Sequence, residues 1–130
     1  FDIESYATVH QLVSTVTGLL AVGEDAWSAV QSAFPGGSMT GAPKIRAMEL
    51  IRDFENGPRG VYSGCVGYFA GGGAAEFAMT IRSIVFSDGV ASIGVGGGIT
   101  IDSDPASELE ETKLKARALL AALNAADPWA

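Results

Sequence analysis

The stretch from Val61 to Thr100, VYSGCVGYFAGGGAAEFAMTIRSIVFSDGVASIGVGGGIT, decides the fold. Three segments rich in Val, Ile, Phe and Tyr run through it, roughly 60–69, 75–86 and 90–101. Such residues suit a pleated, half-buried surface. Gly71-Gly72-Gly73 joins the first two segments and Ser87-Asp88-Gly89 joins the second and third. Both links have hairpin length and turn chemistry, so the spacing predicts an antiparallel three-strand meander.

Working outward, Pro43 opens a helix to about Phe54, because proline is tolerated only in a first turn. Ala47, Leu50, Ile51 and Phe54 form its apolar stripe, with Arg46, Glu49 and Asp53 opposite. Pro35 to Pro43 reads as a loop, Glu24 to Phe34 as a short helix, and residues 6–16 as a strand rich in Thr and Val. A last helix runs from Pro105 to about Leu123, capped by Asp104 or Ser103. One strand, two helices, a meander and a helix give an α+β domain over 1–130, an antiparallel sheet with flanking helices.

Composition bounds what such a domain does. An apolar fraction of 48% with 18% charged residues describes a chain that buries a core, which excludes intrinsic disorder. Eight Lys+Arg against fifteen Asp+Glu leave a net charge of -7, the wrong sign for a nucleic-acid face. An anionic ligand must then be met by local cations, a metal or backbone N–H groups. The single Cys65 excludes an internal disulfide. No run is long and apolar enough to span a membrane and no signal segment opens the chain, so a soluble, cytoplasmic protein is expected. The chain starts at Phe1 without Met and enters patterned sequence at once, so a piece of a larger protein is expected.

Chemistry concentrates in a few places. A turn centred on Gly72 sets Tyr62 opposite Arg82, and one centred on Asp88 sets Arg82 opposite Gly94. Arg82 then shares a face with Gly94, Gly96 and Gly98, between a phenol and bare backbone. A carboxylate clamp fits that arrangement, with a guanidinium fork, a hydroxyl and strand N–H groups. A solvent-facing sheet side with glycines admitting a helix fits it too. Gly94-Val95-Gly96-Gly97-Gly98 is not a dinucleotide loop, because strand residues rather than a helix follow it.

In the final helix Glu108, Glu111, Thr112 and Lys115 share one face. Two carboxylates one turn apart suit Mg²⁺, although they underfill its shell. An ordinary solvated face with a Glu111–Lys115 pair explains the same spacing. His10, the only histidine, is the acid–base candidate if other elements converge on it, and otherwise a structural strand residue. Ser38 and Thr40 sit in the loop before a helix, a general anion site or a simple cap, with Lys44 and Arg46 nearby.

Phe34-Pro35-Gly36-Gly37-Ser38-Met39-Thr40-Gly41-Ala42-Pro43-Lys44-Ile45-Arg46-Ala47-Met48-Glu49 resembles the signature of the chorismate-utilising enzymes. Within them it is most similar to the large, aminating subunit of the aminodeoxychorismate synthases, on the 4-aminobenzoate branch of folate synthesis. Val9-His10-Gln11-Leu12-Val13-Ser14, Arg59-Gly60-Val61-Tyr62-Ser63-Gly64, Thr80-Ile81-Arg82, Gly96-Gly97-Gly98-Ile99 and Glu108 to Lys115 match in the same order. The resemblance covers Tyr6 to Leu120 and implies the C-terminal part of that fold. It implies that Glu111 binds Mg²⁺ and that Glu108 assists through a metal-bound water. The metal would hold the ring carboxylate of chorismate, beside Ser38 and Lys115. Tyr62, Arg82 and the N–H groups at Gly96 and Gly98 would take the enolpyruvyl carboxylate. His10 would assist departure of the 4-hydroxyl, and a glutamine amidotransferase subunit or domain would supply ammonia.

Chains of that family are several times longer, and their upstream Pro-Ile-Lys-Gly-Thr motif and upstream metal-binding glutamate lie outside these 130 residues. The isolated chain is therefore expected to have little or no activity. Anthranilate synthase is the neighbouring alternative, with the Gly-Gly-Ser-Met-Thr form at 36–40 favouring the aminodeoxychorismate branch. An alternative of another class is a non-catalytic module that folds or self-associates through uncovered edges.

Overall fold

Asp25 starts the first helix by a reciprocal cap. Its carboxylate accepts the Ser28 N–H at 2.9 Å, while the Ser28 hydroxyl accepts the Asp25 N–H at 3.0 Å. The helix that follows, α1, spans Ala26–Ala33 in the computed structural model, which describes residues 2–129. A short α2 (Gly37–Thr40) lies inside the expected loop, and α3 (Lys44–Phe54) begins after Pro43. The last helix, α4 (Pro105–Ala122), has Asp104 as its N-cap, accepting the Ser107 N–H at 2.9 Å. That backbone bond and the Ser107 hydroxyl hold the Asp104 carboxyl below its ordinary range.

Strands form three separate antiparallel hairpins, β1 (Asp2–Ser5) with β2 (His10–Val13), β3 (Cys65–Phe69) with β4 (Ala75–Met79), and β5 (Ile84–Ser87) with β6 (Val90–Ile93). The architecture is α+β with antiparallel pairing, as expected. No helix among the described residues is long and apolar enough to cross a membrane.

The continuous meander is corrected. Its middle segment breaks after Met79, where the Thr80 N–H donates to the Gly64 carbonyl at 3.0 Å and the Thr80 carbonyl accepts from Ser63 at 3.1 Å. The Thr80 hydroxyl also donates to the Val61 carbonyl, and the residue is 8% exposed. A buried residue held through its N–H, its carbonyl and its hydroxyl fixes the chain there. Beyond it Arg82 takes φ of 50°, which ends the extended run. Residues 61–64 form a turn rather than a strand start, and 94–101 leave the ladder after Ile93. The strand expected over 6–16 is confined to His10–Val13 and pairs with the chain's first residues.

The β3–β4 hairpin keeps the counted register, with Cys65 facing Met79 and Phe69 facing Ala75. It stops before Tyr62 and Arg82. The β5–β6 hairpin is shifted by one residue, with Ile84 facing Ile93 and Ser87 facing Val90. Asp88 (φ 50°) and Gly89 (φ 78°) make a two-residue turn in which both φ values are positive, matching strand twist better than a three-residue turn. The expected Arg82–Gly94 pairing is therefore absent.

Apolar packing is local. Trp27 of α1 meets the Phe69 ring edge-on at 5.9 Å, and Phe69 meets Phe77 at 5.0 Å. Ala116 of α4 is the one fully buried apolar residue among those described. Ile45 and Phe54 of α3 stay largely exposed, so the α3 stripe read from the sequence is only partly covered.

Candidate functional site

Tyr62 stands on the 61–64 turn, half-buried, with its ring lying against Gly94. A Cβ at Gly94 would overlap the ring carbons, and one at Gly96 would sit 3.2 Å from the Tyr62 hydroxyl. Only bare backbone permits this approach. On the other side of the same ribbon, a Cβ at Gly97 would lie 3.0 Å from Glu108 Oε2. The Lys115 ammonium donates to the Gly96 carbonyl at 3.2 Å and pairs with Glu111 Oε1 at 2.5 Å. Residues 94–97 are thus enclosed between Tyr62 and the α4 face that carries Glu108, Glu111 and Lys115. Among the described residues, the N–H groups of Gly94 to Gly98 have no intramolecular acceptor. Unpaired backbone donors on a segment that passes a hydroxyl and an ammonium suit a carboxylate.

The acidic pair carries the metal question. Glu108 and Glu111 offer hard carboxylate oxygens one turn apart, the donor type that Mg²⁺ takes. Glu108 holds the Ser103 hydroxyl on Oε1 at 2.6 Å and keeps Oε2 toward the ribbon. Among the described residues, no group of three His, Cys, Asp or Glu side chains comes together. The residues present therefore fit part of a magnesium shell, which would need further oxygen ligands to be complete.

The remaining expected residues lie apart. Arg82 is exposed and makes no hydrogen bond or ion pair among the described residues. Ser38 is in α2, its hydroxyl 3.7 Å from the Met79 sulfur. Gly98 is exposed with open space where a side chain would go. His10 is exposed on β2, its Nδ1 3.0 Å from the Ser5 hydroxyl across the hairpin. Thr40 does not cap α3, since its hydroxyl bonds back to the Gly36 carbonyl at 3.3 Å. Lys44 donates to the Ala33 carbonyl at 3.2 Å, and Arg46 pairs with Glu49 at 2.9 Å.

Sequence reading gave no role to Arg59. Its guanidinium bonds Glu55 through Nε (2.9 Å) and Nη2 (2.5 Å), and through Nη1 the Met39 carbonyl (2.8 Å) and the Ser63 hydroxyl (2.9 Å). The same guanidinium lies 5.8 Å from the centre of the Tyr62 ring. The bonds from Arg59 keep the Glu55 carboxyl below its ordinary range. A hollow of about 540 Å³ opens beside this group, between Pro35, Met48, Ile51, Arg59 and Tyr62. A five-donor residue between Pro58 and Gly60 was the available signal, and it has no periodicity to announce it.

Residues 1–121 match the family model described as chorismate binding enzyme. The chain is 57% identical over 126 residues to the aminodeoxychorismate synthase of Streptomyces pristinaespiralis, covering 97% of this chain and 18% of that protein. It is 56% identical over 128 residues to the aminodeoxychorismate synthase of Streptomyces griseus, covering 98% and 18%. Anthranilate synthase component 1 of Streptomyces coelicolor is 47% identical over 125 residues, covering 96% and 24%. The chain thus spans less than a quarter of the length of these three relatives. With the match running almost end to end, the chain belongs to the chorismate-binding enzymes.

Proposed function

We propose that this chain is the C-terminal part of a cytoplasmic aminodeoxychorismate synthase component, which replaces the 4-hydroxyl of chorismate with an amino group. The glycine ribbon carries the reading: its unpaired N–H groups lie between the Tyr62 hydroxyl and the Glu108, Glu111 and Lys115 face. Chorismate is a dianion, and a chain of charge -7 attracts it only through such local groups.

The Tyr62 hydroxyl and the N–H groups of Gly96 and Gly98 take the enolpyruvyl carboxylate, with the exposed Arg82 adding its fork. Lys115, and Ser38 once brought to it from α2, would take the ring carboxylate. Glu111, assisted by Glu108, would hold Mg²⁺, which when bound neutralises that carboxylate. Ammonia, from a glutamine amidotransferase subunit or domain, forms the new C–N bond as the hydroxyl leaves as water. His10 donates the proton to the departing oxygen; with Nδ1 at Ser5, Nε2 is the atom left to carry it.

The identities of 57% and 56% to aminodeoxychorismate synthases, against 47% to an anthranilate synthase, favour the first branch. The test is turnover of chorismate, ammonium and Mg²⁺ by the complete gene product, with chromatographic identification of the product. Aminodeoxychorismate is expected. Fluorescent anthranilate would support the other branch, and no consumption of chorismate overturns both.

A further inference from the structure

Arg59 makes no hydrogen bond to the groups assigned to substrate, yet it bonds the neighbours of two of them. Ser63 follows Tyr62, and Met39 follows Ser38. The guanidinium reaches both, at 2.9 Å to the Ser63 hydroxyl and 2.8 Å to the Met39 carbonyl, while Nε and Nη2 grip Glu55 at the end of α3. Its plane also lies near the Tyr62 ring. The side chain is 24% exposed, so these bonds are partly shielded from water. A fork with several fixed donors can tie three segments at once, which a lysine ammonium cannot do in the same plane.

We infer that Arg59 is a positioning residue, which fixes the Tyr62 turn and the Ser38 segment on one frame anchored by Glu55. The inference rests on the proposed roles of Tyr62 and Ser38 toward carboxylates. Both contacts act on bound substrate and transition state alike, so loosening them raises KM more than it lowers kcat. Glu55 serves only as the anchor, and its loss weakens the same frame.

The experiment is steady-state kinetics of the complete gene product, varying chorismate, for wild type, Arg59→Lys, Glu55→Gln and Tyr62→Phe, and for Arg59→Lys combined with Tyr62→Phe. Arg59→Lys keeps the charge and loses the fork, and is expected to raise KM about tenfold with kcat within about threefold. Glu55→Gln is expected to move KM in the same direction by less. In the Tyr62→Phe background the Arg59→Lys penalty is expected to shrink below about threefold, because the hydroxyl being positioned is gone. An unchanged KM in both Arg59→Lys and Glu55→Gln overturns the inference. So does a full Arg59→Lys penalty in the Tyr62→Phe background, or equal KM penalties for an unrelated destabilising variant of the same thermal midpoint. Failure of the underlying function shows differently: the wild type itself would not consume chorismate.

Discussion

Lys115 and Gly96, nineteen residues apart, are joined by a hydrogen bond from the ammonium to the carbonyl oxygen at 3.2 Å. One cation therefore braces the glycine ribbon and neutralises Glu111 on the same helix face. Replacing it by methionine keeps the stem but removes both effects.

Lys115→Met in the complete gene product is expected to lower kcat/KM for chorismate at least about tenfold and to lose about 1–2 kcal/mol of stability, the scale of a hydrogen bond from a charged group. Kinetics and urea unfolding measure the two losses. Unchanged kinetics would remove Lys115 from the site.

Two glycines of one ribbon should respond unequally. A Cβ at Gly94 runs into the Tyr62 ring, so Gly94→Ala is expected to cost about 1–3 kcal/mol as an overpacked contact and to weaken chorismate binding. Gly98 has open space around it, so Gly98→Ala should stay within about 0.5 kcal/mol of wild type. Urea midpoints of the two variants check the contrast. Equal midpoints would mean that the ring and ribbon do not touch.

Acid should weaken the contacts that hold the Glu55 and Asp104 carboxylates. The Glu55 carboxyl is held below its ordinary value of 4.5 by hydrogen bonds from Arg59, and Asp104 is lowered by the Ser107 N–H. A depressed carboxylate contributes stability above its unfolded value and loses it as pH falls through the folded value. Stability is therefore expected to fall between about pH 5 and pH 3, and less steeply in Glu55→Gln combined with Asp104→Asn. Urea midpoints across that range provide the measurement, and an identical slope in the double variant would contradict the assignment.

The 130-residue chain by itself is expected to show no aminodeoxychorismate formation and to associate with itself. Ile45, Phe54, Phe86 and Ile101 are exposed at 71–98%, an apolar surface that favours contact with other chains. Static light scattering and a chorismate assay test this together. A monomer binding chorismate tightly only with Mg²⁺ would count against it.

The three longer helices were legible from their own start signals, such as Asp104 before Pro105 and Pro43 before the α3 stripe, whereas the four-residue α2, which has no side-chain cap, was not. The β3–β4 hairpin was legible because Gly71-Gly72-Gly73 fixes its centre. The β5–β6 hairpin slipped by one because Asp88 accepts a positive φ, which shortens the turn by one residue. The break at Thr80 was not legible, since its partners Val61 and Gly64 lie far back in the chain. For the same reason Tyr62 lies directly against Gly94, whereas the counted register set Arg82 between them. The α4 face was read correctly as a face, whereas its contact with Gly96 and Gly97 needed the folded chain.

Main-chain N–H groups are the same in every residue except proline, so the proposed recognition through residues 94–98 would leave selection few letters to change. Mutation can crowd that segment but cannot recolour it. Evolutionary drift in a ligand held there would be written at the borders, in the phenol on one side and the helix on the other.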